Sequence, residues 1–175
     1  MLLSSDILRL RAPEPEDLTL MYGWENDTRL WTYGSTIAPF SRYTLKEYIA
    51  SGGGDFFEMR QMRLMIVASE GGDCVGMVDL FDYDPFHRRA AAGILIDTRS
   101  QRRGYGAEAL RLVAHYAFSF LGLHGLYAHV PRCNEASTAL FLRAGYAHRG
   151  TLADWIRVGA DYVDVDIYQL INPNK

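Results

Sequence analysis

One segment governs what this chain can become: Ile94-Leu95-Ile96-Asp97-Thr98-Arg99-Ser100-Gln101-Arg102-Arg103-Gly104-Tyr105-Gly106-Ala107. An apolar strand runs into a short loop, then Q-R-R-G-Y-G, then a long amphipathic helix. Glycines let successive amide N–H groups turn inward, and a helix start carries partial positive charge. The segment therefore reads as an anion site, with Arg102 and Arg103 either touching phosphates or standing as solvated surface charges.

The rest of the chain bounds the setting. Its 175 residues suffice for one domain, 1–175, with a proper core. A net charge of −3 gives no global basic field for nucleic acid. No apolar run approaches the roughly 18 residues of a membrane span, and Met-Leu-Leu-Ser-Ser-Asp lacks the marks of a secretory leader. Cys74 and Cys133 have no metal-ligand spacing. The expectation is a cytoplasmic protein with no metal and no membrane or nucleic-acid partner.

Periodicity supplies the elements. Ile7 to Arg11 alternates as a strand. Proline and acids predict a helix from Pro15 to Glu25. Thr44-Leu45-Lys46-Glu47 fits a capping box opening a second helix, ended by Gly52-Gly53-Gly54. Arg63–Ser69 and Cys74–Phe81 flank a hairpin turn, Asp82–Arg89 reads as a polar loop, and Ala90–Asp97 as the third strand of a meander. A long helix from Ala107 ends near Gly122; Leu126–Val130 is a strand, Glu135–Ala144 a helix, and Ala153–Val158 and Tyr162–Leu170 two closing strands. This order is an α/β (α+β) domain with a mixed sheet.

These features together resemble the GNAT superfamily of acyl-CoA-dependent N-acyltransferases, over nearly the whole chain. Gln101-Arg102-Arg103-Gly104-Tyr105-Gly106 meets the signature Q/R-x-x-G-x-G/A, and Asn134, Ser137, Leu140, Phe141, Gly145 and Tyr146 meet a later element. Gly76-Met77-Val78-Asp79-Leu80-Phe81-Asp82, His87-Arg88-Arg89-Ala90 and the tail Gly159–Val165 look most like the branch of spermidine and ribosomal-protein N-terminal acetyltransferases. The resemblance implies a mostly antiparallel, twisted sheet of about seven strands, flanked by helices and splayed around acyl-CoA. It implies acetyl transfer from acetyl-CoA to a primary amine by direct attack on the thioester. The expected acceptor is a protein N-terminus, a small-molecule amine, an amino sugar or a polyamine, and the expected assembly a homodimer, with Trp155 and Tyr162 of the C-terminal hairpin as a candidate subunit contact.

By the same resemblance, the amides of Gln101, Arg102, Arg103, Gly104, Tyr105, Gly106 and Ala107 hold the pyrophosphate. The backbone of Ile94, Leu95 and Ile96 pairs with the pantetheine arm. Asn134 touches the cofactor or simply caps a helix, and Arg143 approaches the adenosine phosphate or lies on the surface. An alkyl amine with a pKa of about 10 must lose a proton before it attacks. Asp82, at the end of its strand, is the first candidate base, followed by Asp79 and His87; each also reads as a turn or bystander residue. Tyr127 and His129 share one sheet face and could line the cleft or pack structurally. Large side chains at Met77, Phe81 and Phe141 favour acetyl over longer acyl groups.

Two departures set limits. Phe141 stands where many relatives carry a tyrosine that protonates the leaving thiolate. Ala91 and Gly34-Ser35-Thr36-Ile37 stand where spermidine enzymes carry acids, which argues against a polyamine. A non-catalytic acyl-CoA-binding module is the competing reading. A nucleotide-binding P-loop is poor, because Q-R-R-G-Y-G lacks its Lys-Ser/Thr pair.

Overall fold

A computed structural model describes residues 2–34, 36–52 and 54–174. The chain order is β1 (Leu8–Arg11), a 3₁₀ turn (Pro15–Asp17), α1 (Leu18–Glu25), α2 (Thr28–Trp31), α3 (Arg42–Ala50), α4 (Phe56–Met59), β2 (Met62–Ala68), β3 (Cys74–Asp84) and β4 (Arg89–Ile96). It continues with a 3₁₀ turn (Thr98–Ser100), α5 (Tyr105–Ser119), β5 (Gly125–Pro131), α6 (Glu135–Arg143), β6 (Ala147–Val158) and β7 (Asp161–Ile171). Among the described residues the strands form one seven-stranded sheet, ordered β1-β2-β3-β4-β5-β7-β6.

The sheet is antiparallel except at its centre, where β4 and β5 run parallel. That pairing spans only Arg89–Ala91 against Gly125–Tyr127. Beyond this rung the strands part, while β4 stays paired with β3 up to Ile96 and β5 with β7 up to Pro131. The expected splay is present. It divides the sheet into two wings joined at Ala91 and Tyr127.

Alternation gives each wing two faces. One buries Leu64, Ile66, Val78, Leu80, Leu126, Ala128 and Val130 with Leu110 and Val113 of α5. The other buries Met65 and Met77 with Met21, Trp24, Leu45 and Ile49 of α1 and α3. Trp24 also donates its indole N–H to Asp97 at 3.0 Å, tying α1 to the end of β4.

Several boundaries depart from the sequence reading. Helix α3 begins at Arg42 because Ser41 is its cap, accepting from the Thr44 amide at 3.0 Å; Thr44 sits inside the first turn. The helix ends at Ala50 with Ser51 as cap, and Gly53 of the expected terminator lies outside the described residues. Strand β3 continues through the expected loop to Asp84. Asp82 takes φ 50°, a bulge that absorbs one extra residue and lets pairing resume at Asp84↔Arg89. Strand β6 starts at Ala147, six residues early, because bulges at His148/Gly150 and Leu152/Ile156 break its alternation. Helices α2 and α4 were too short for periodicity to reveal. Each starts from an aspartate cap, Asp27 or Asp55, whose carboxylate accepts the amide two residues on.

Candidate active site

The donor end is built from β4, the following loop and α5. The Asp97 amide donates to the Val75 carbonyl at 2.9 Å. Register is unbroken from Gly76↔Ile96 to Phe81↔Ala91. Alternation then turns the N–H and C=O of Ala91, Gly93 and Leu95 toward β3 and those of Ile94 and Ile96 toward the splay. Leu95 therefore offers the open side no backbone group; its side chain packs on the α1–α3 core. The Ile96 carbonyl accepts from Gln101 Nε2 at 3.1 Å, so the loop closes over the strand end.

Arg102 and Gly104 adopt φ 63° and 86°, turning the loop back on itself before α5. The first helical bond runs from Glu108 N–H to Gly104 C=O, which leaves the amides of Tyr105, Gly106 and Ala107 without helical acceptors. Gly104 supplies no capping side chain. A Cβ on Gly106 would lie 3.1 Å from Leu140 Cδ1 and 3.5 Å from Ile96 Cγ1, so β4, α5 and α6 meet closely there. The Arg102 and Arg103 side chains are exposed. Arg143 and Gly104 border a shallow hollow of about 360 Å³. Asn134 is the N-cap of α6, its Oδ1 accepting from Ser137 N–H at 3.1 Å.

On the face of the sheet covered by α1 and α3 lies a cleft of about 980 Å³ between the β2–β3 ends and the α1–α4 segment. Glu25, Asp79, Asp82 and Asp84 line it against Arg60 and Arg63, with aromatic walls such as Phe40, Tyr48 and Phe81. Of the segment that stands where spermidine enzymes carry acids, Thr36 lines the cleft, Ile37 is exposed, and Ser35 lies outside the described residues.

Three charges lock together here. Arg63 donates through Nε and Nη2 to both Asp79 oxygens at 2.8 and 2.7 Å, and through Nη1 to Glu25. The guanidinium also sits 5.8 Å from the centre of the Tyr48 ring. Burial opposes its charge, but the two carboxylates outweigh that and raise the Arg63 pKa. Asp79 is thus committed to an ion pair. Asp82 is exposed in the bulge, with no hydrogen-bond partner among the described residues. His87 lies outside the cleft in the β3–β4 turn, its ring edge-on to Phe86. Neither Arg63 nor Glu25 was singled out from sequence. The available signal was a lone arginine in an otherwise apolar strand.

Phe141 is 3% exposed and packs edge-on against Tyr146 at 5.0 Å. Tyr127 pairs directly with Ala91 at the last rung, and its ring lies 5.4 Å from that of His129.

Residues 8–147 match the Acetyltransferase (GNAT) domain. The chain belongs to the GNAT acetyltransferase family. It is 27% identical over 158 residues to the spermidine N(1)-acetyltransferase of Vibrio cholerae, covering 90% of this chain and 89% of that one. It is likewise 27% identical over 160 residues to the N-acetyltransferase YoaA of Bacillus subtilis, covering 91% and 84%. The crystal structure of the Vibrio cholerae spermidine N-acetyltransferase with CoA and spermine shares the fold, with a TM-score of 0.83 at 24% identity over 94% of this chain and 95% of that one. As a GNAT member, this chain is an N-acetyltransferase. No described helix is long and apolar enough to cross a membrane.

Proposed function

We propose that this acetyltransferase moves the acetyl group of acetyl-CoA to a primary amine that enters through the acidic cleft. The observation that carries the reading is the cleft's charge, four carboxylates against two guanidiniums. An amine approaches as a cation, and surplus negative charge concentrates it there. On the other side, the free amides of Tyr105, Gly106 and Ala107 suit a pyrophosphate, with Arg102, Arg103 and Arg143 around them. Ile94 and Ile96 offer open backbone groups to a pantetheine amide, while Gln101 must release the Ile96 carbonyl for that end of the rail to pair.

A second reading, a polyamine as the acceptor, is favoured by the same acid surplus and by the spermidine-acetylating relatives. Ala91 and the acid-free Thr36–Ile37 segment weigh for a monoamine. Self-association through the C-terminal hairpin, where Trp155 and Tyr162 are 58% and 60% exposed, fits either acceptor.

The test is CoA release from acetyl-CoA with spermidine, spermine, phenylethylamine and a tripeptide with a free N-terminus. Turnover with any of the four supports amine acetylation, and the ranking selects the acceptor. Tight acetyl-CoA binding with no release would favour a non-catalytic binding module.

A further inference from the structure

The proton that the amine must lose needs an acceptor, and most of the carboxylates and the imidazole in or beside the cleft are engaged or badly placed for it. Both Asp79 oxygens are occupied by Arg63, Glu25 is paired with the same guanidinium, Asp84 accepts from the His87 amide and pairs with Arg89, His87 lies outside the cleft in a turn, and Asp82 sits in the bulge level with the paired β4–β5 rungs, short of the splay. The opposite wing carries a different candidate. Strand β5 alternates buried Leu126, Ala128 and Val130 with half-buried Tyr127 and exposed His129. Tyr127 stands on the last rung opposite Ala91; His129, two residues on, stands where β4 has left β5. The two lips of the splay are thus unequal on this face. Strand β4 presents Ala91 and Gly93, with little or no side chain; β5 presents a phenol and an imidazole. A Cβ at Gly93 would lie 3.2 Å from Phe81 Cε1, so the Phe81 ring rests close over this lip. A reacting group held against the bare lip faces His129 across the gap.

We propose that His129 accepts the amine proton and that Tyr127 positions its ring. This rests on the acetyl-transfer reading above. The step balances without another reactant. The amine nitrogen forms the C–N bond, and the C–S bond breaks with its electron pair on sulfur. The incoming ammonium first gives one N–H proton to an imidazole nitrogen, which releases it to water; the second N–H proton, shed once the C–N bond has formed, goes to the departing thiolate. His129 has no hydrogen-bond partner among the described residues, so a ring nitrogen is free for this work. Tyr127 is held protonated by burial first and by the negative charge of Asp82 second. Next to His129 stand Tyr127 on its own strand and apolar Ile167 opposite on β7; Arg149 lies one strand further, at the β6 bulge, and Asp82 acts on Tyr127 from across the sheet.

The experiment uses the full chain and the fastest of the four amines above, with kcat followed across pH. The wild-type kcat levels off with rising pH. His129→Gln lowers kcat about 100-fold near neutrality and removes that plateau, so kcat climbs with hydroxide. Acetyl-CoA still raises its melting temperature, which shows that it folds and binds donor. Added imidazole restores part of the rate of His129→Ala. Tyr127→Ala lowers kcat but keeps the plateau. An unchanged profile in His129→Gln, or loss of the plateau in Asp82→Asn instead, overturns the proposal. Wild-type protein silent with all four amines would overturn the acetyl-transfer reading itself, a result that no His129 variant is needed to recognise.

Discussion

Arg63 on β2 grips both carboxylate oxygens of Asp79, its cross-strand partner on β3, and reaches Glu25 on α1 with its remaining nitrogen. The floor of the cleft is therefore a closed ion cluster that joins the sheet to the helical cover. Its side chains are largely buried, Arg63 at 17% and Glu25 at 12% exposure. Removing the cation leaves two carboxylates facing each other out of water. Arg63→Ala is expected to cost about 3 kcal/mol of stability, measured by urea unfolding. A loss below about 1 kcal/mol would mean that water replaces the guanidinium.

Asp82 lends itself to a cleaner test of charge. Its φ of 50° is one that asparagine tolerates well, so Asp82→Asn keeps the bulge and removes only the negative charge. The KM for the amine should rise several-fold, with kcat changed less, because the carboxylate attracts the cation from a distance. A fall in kcat with KM unchanged would assign it to chemistry instead.

Gly104 has the strongest backbone requirement in the donor loop, with φ 86°. Gly104→Val should strain the turn and misdirect the amides at the start of α5. Acetyl-CoA at 100 times its Kd should stabilise the wild type by about 2.7 kcal/mol. That shift should vanish in the variant. Its survival would move the pyrophosphate elsewhere.

Gly76 controls the β3–β4 contact behind the donor strand. A Cβ there would lie 2.2 Å from the Leu95 carbonyl oxygen, a backbone atom that cannot rotate aside. Gly76→Ala should cost about 2–3 kcal/mol and weaken acetyl-CoA binding, as read by urea unfolding and thermal shift. An unperturbed variant would show that the two strands have slack.

Asp97 predicts an acid limb. Hydrogen bonds from Arg99 first, then Trp24, lower its pKa to about 2 in the folded chain. The unfolded carboxyl titrates near 3.9, so the contribution is full above about pH 4 and fades as pH falls toward 2. Asp97→Asn should flatten the drop in melting temperature over that interval. An identical drop in the variant would place the acid sensitivity in other carboxylates.

The donor half of this protein is written locally. Gln101 to Ala107 specify a turn and a helix start within seven consecutive residues, because glycine conformations and orphan amides are properties of the adjacent chain. The order of the strands and of the longer helices followed equally from periodicity and start signals, which depend on neighbours one to four positions away. Tertiary structure decided the acceptor half. Asp79 and Asp82 lie three residues apart and were read as alternatives, yet one closes an ion pair with Arg63, sixteen positions away, and the other sits free in a bulge. Likewise, His129 and Gly93 meet as opposite lips only because β4 and β5 stop pairing at Ala91 and Tyr127. Ion pairs and strand splay depend on distances through space between segments far apart in the chain, and those distances exist only after folding.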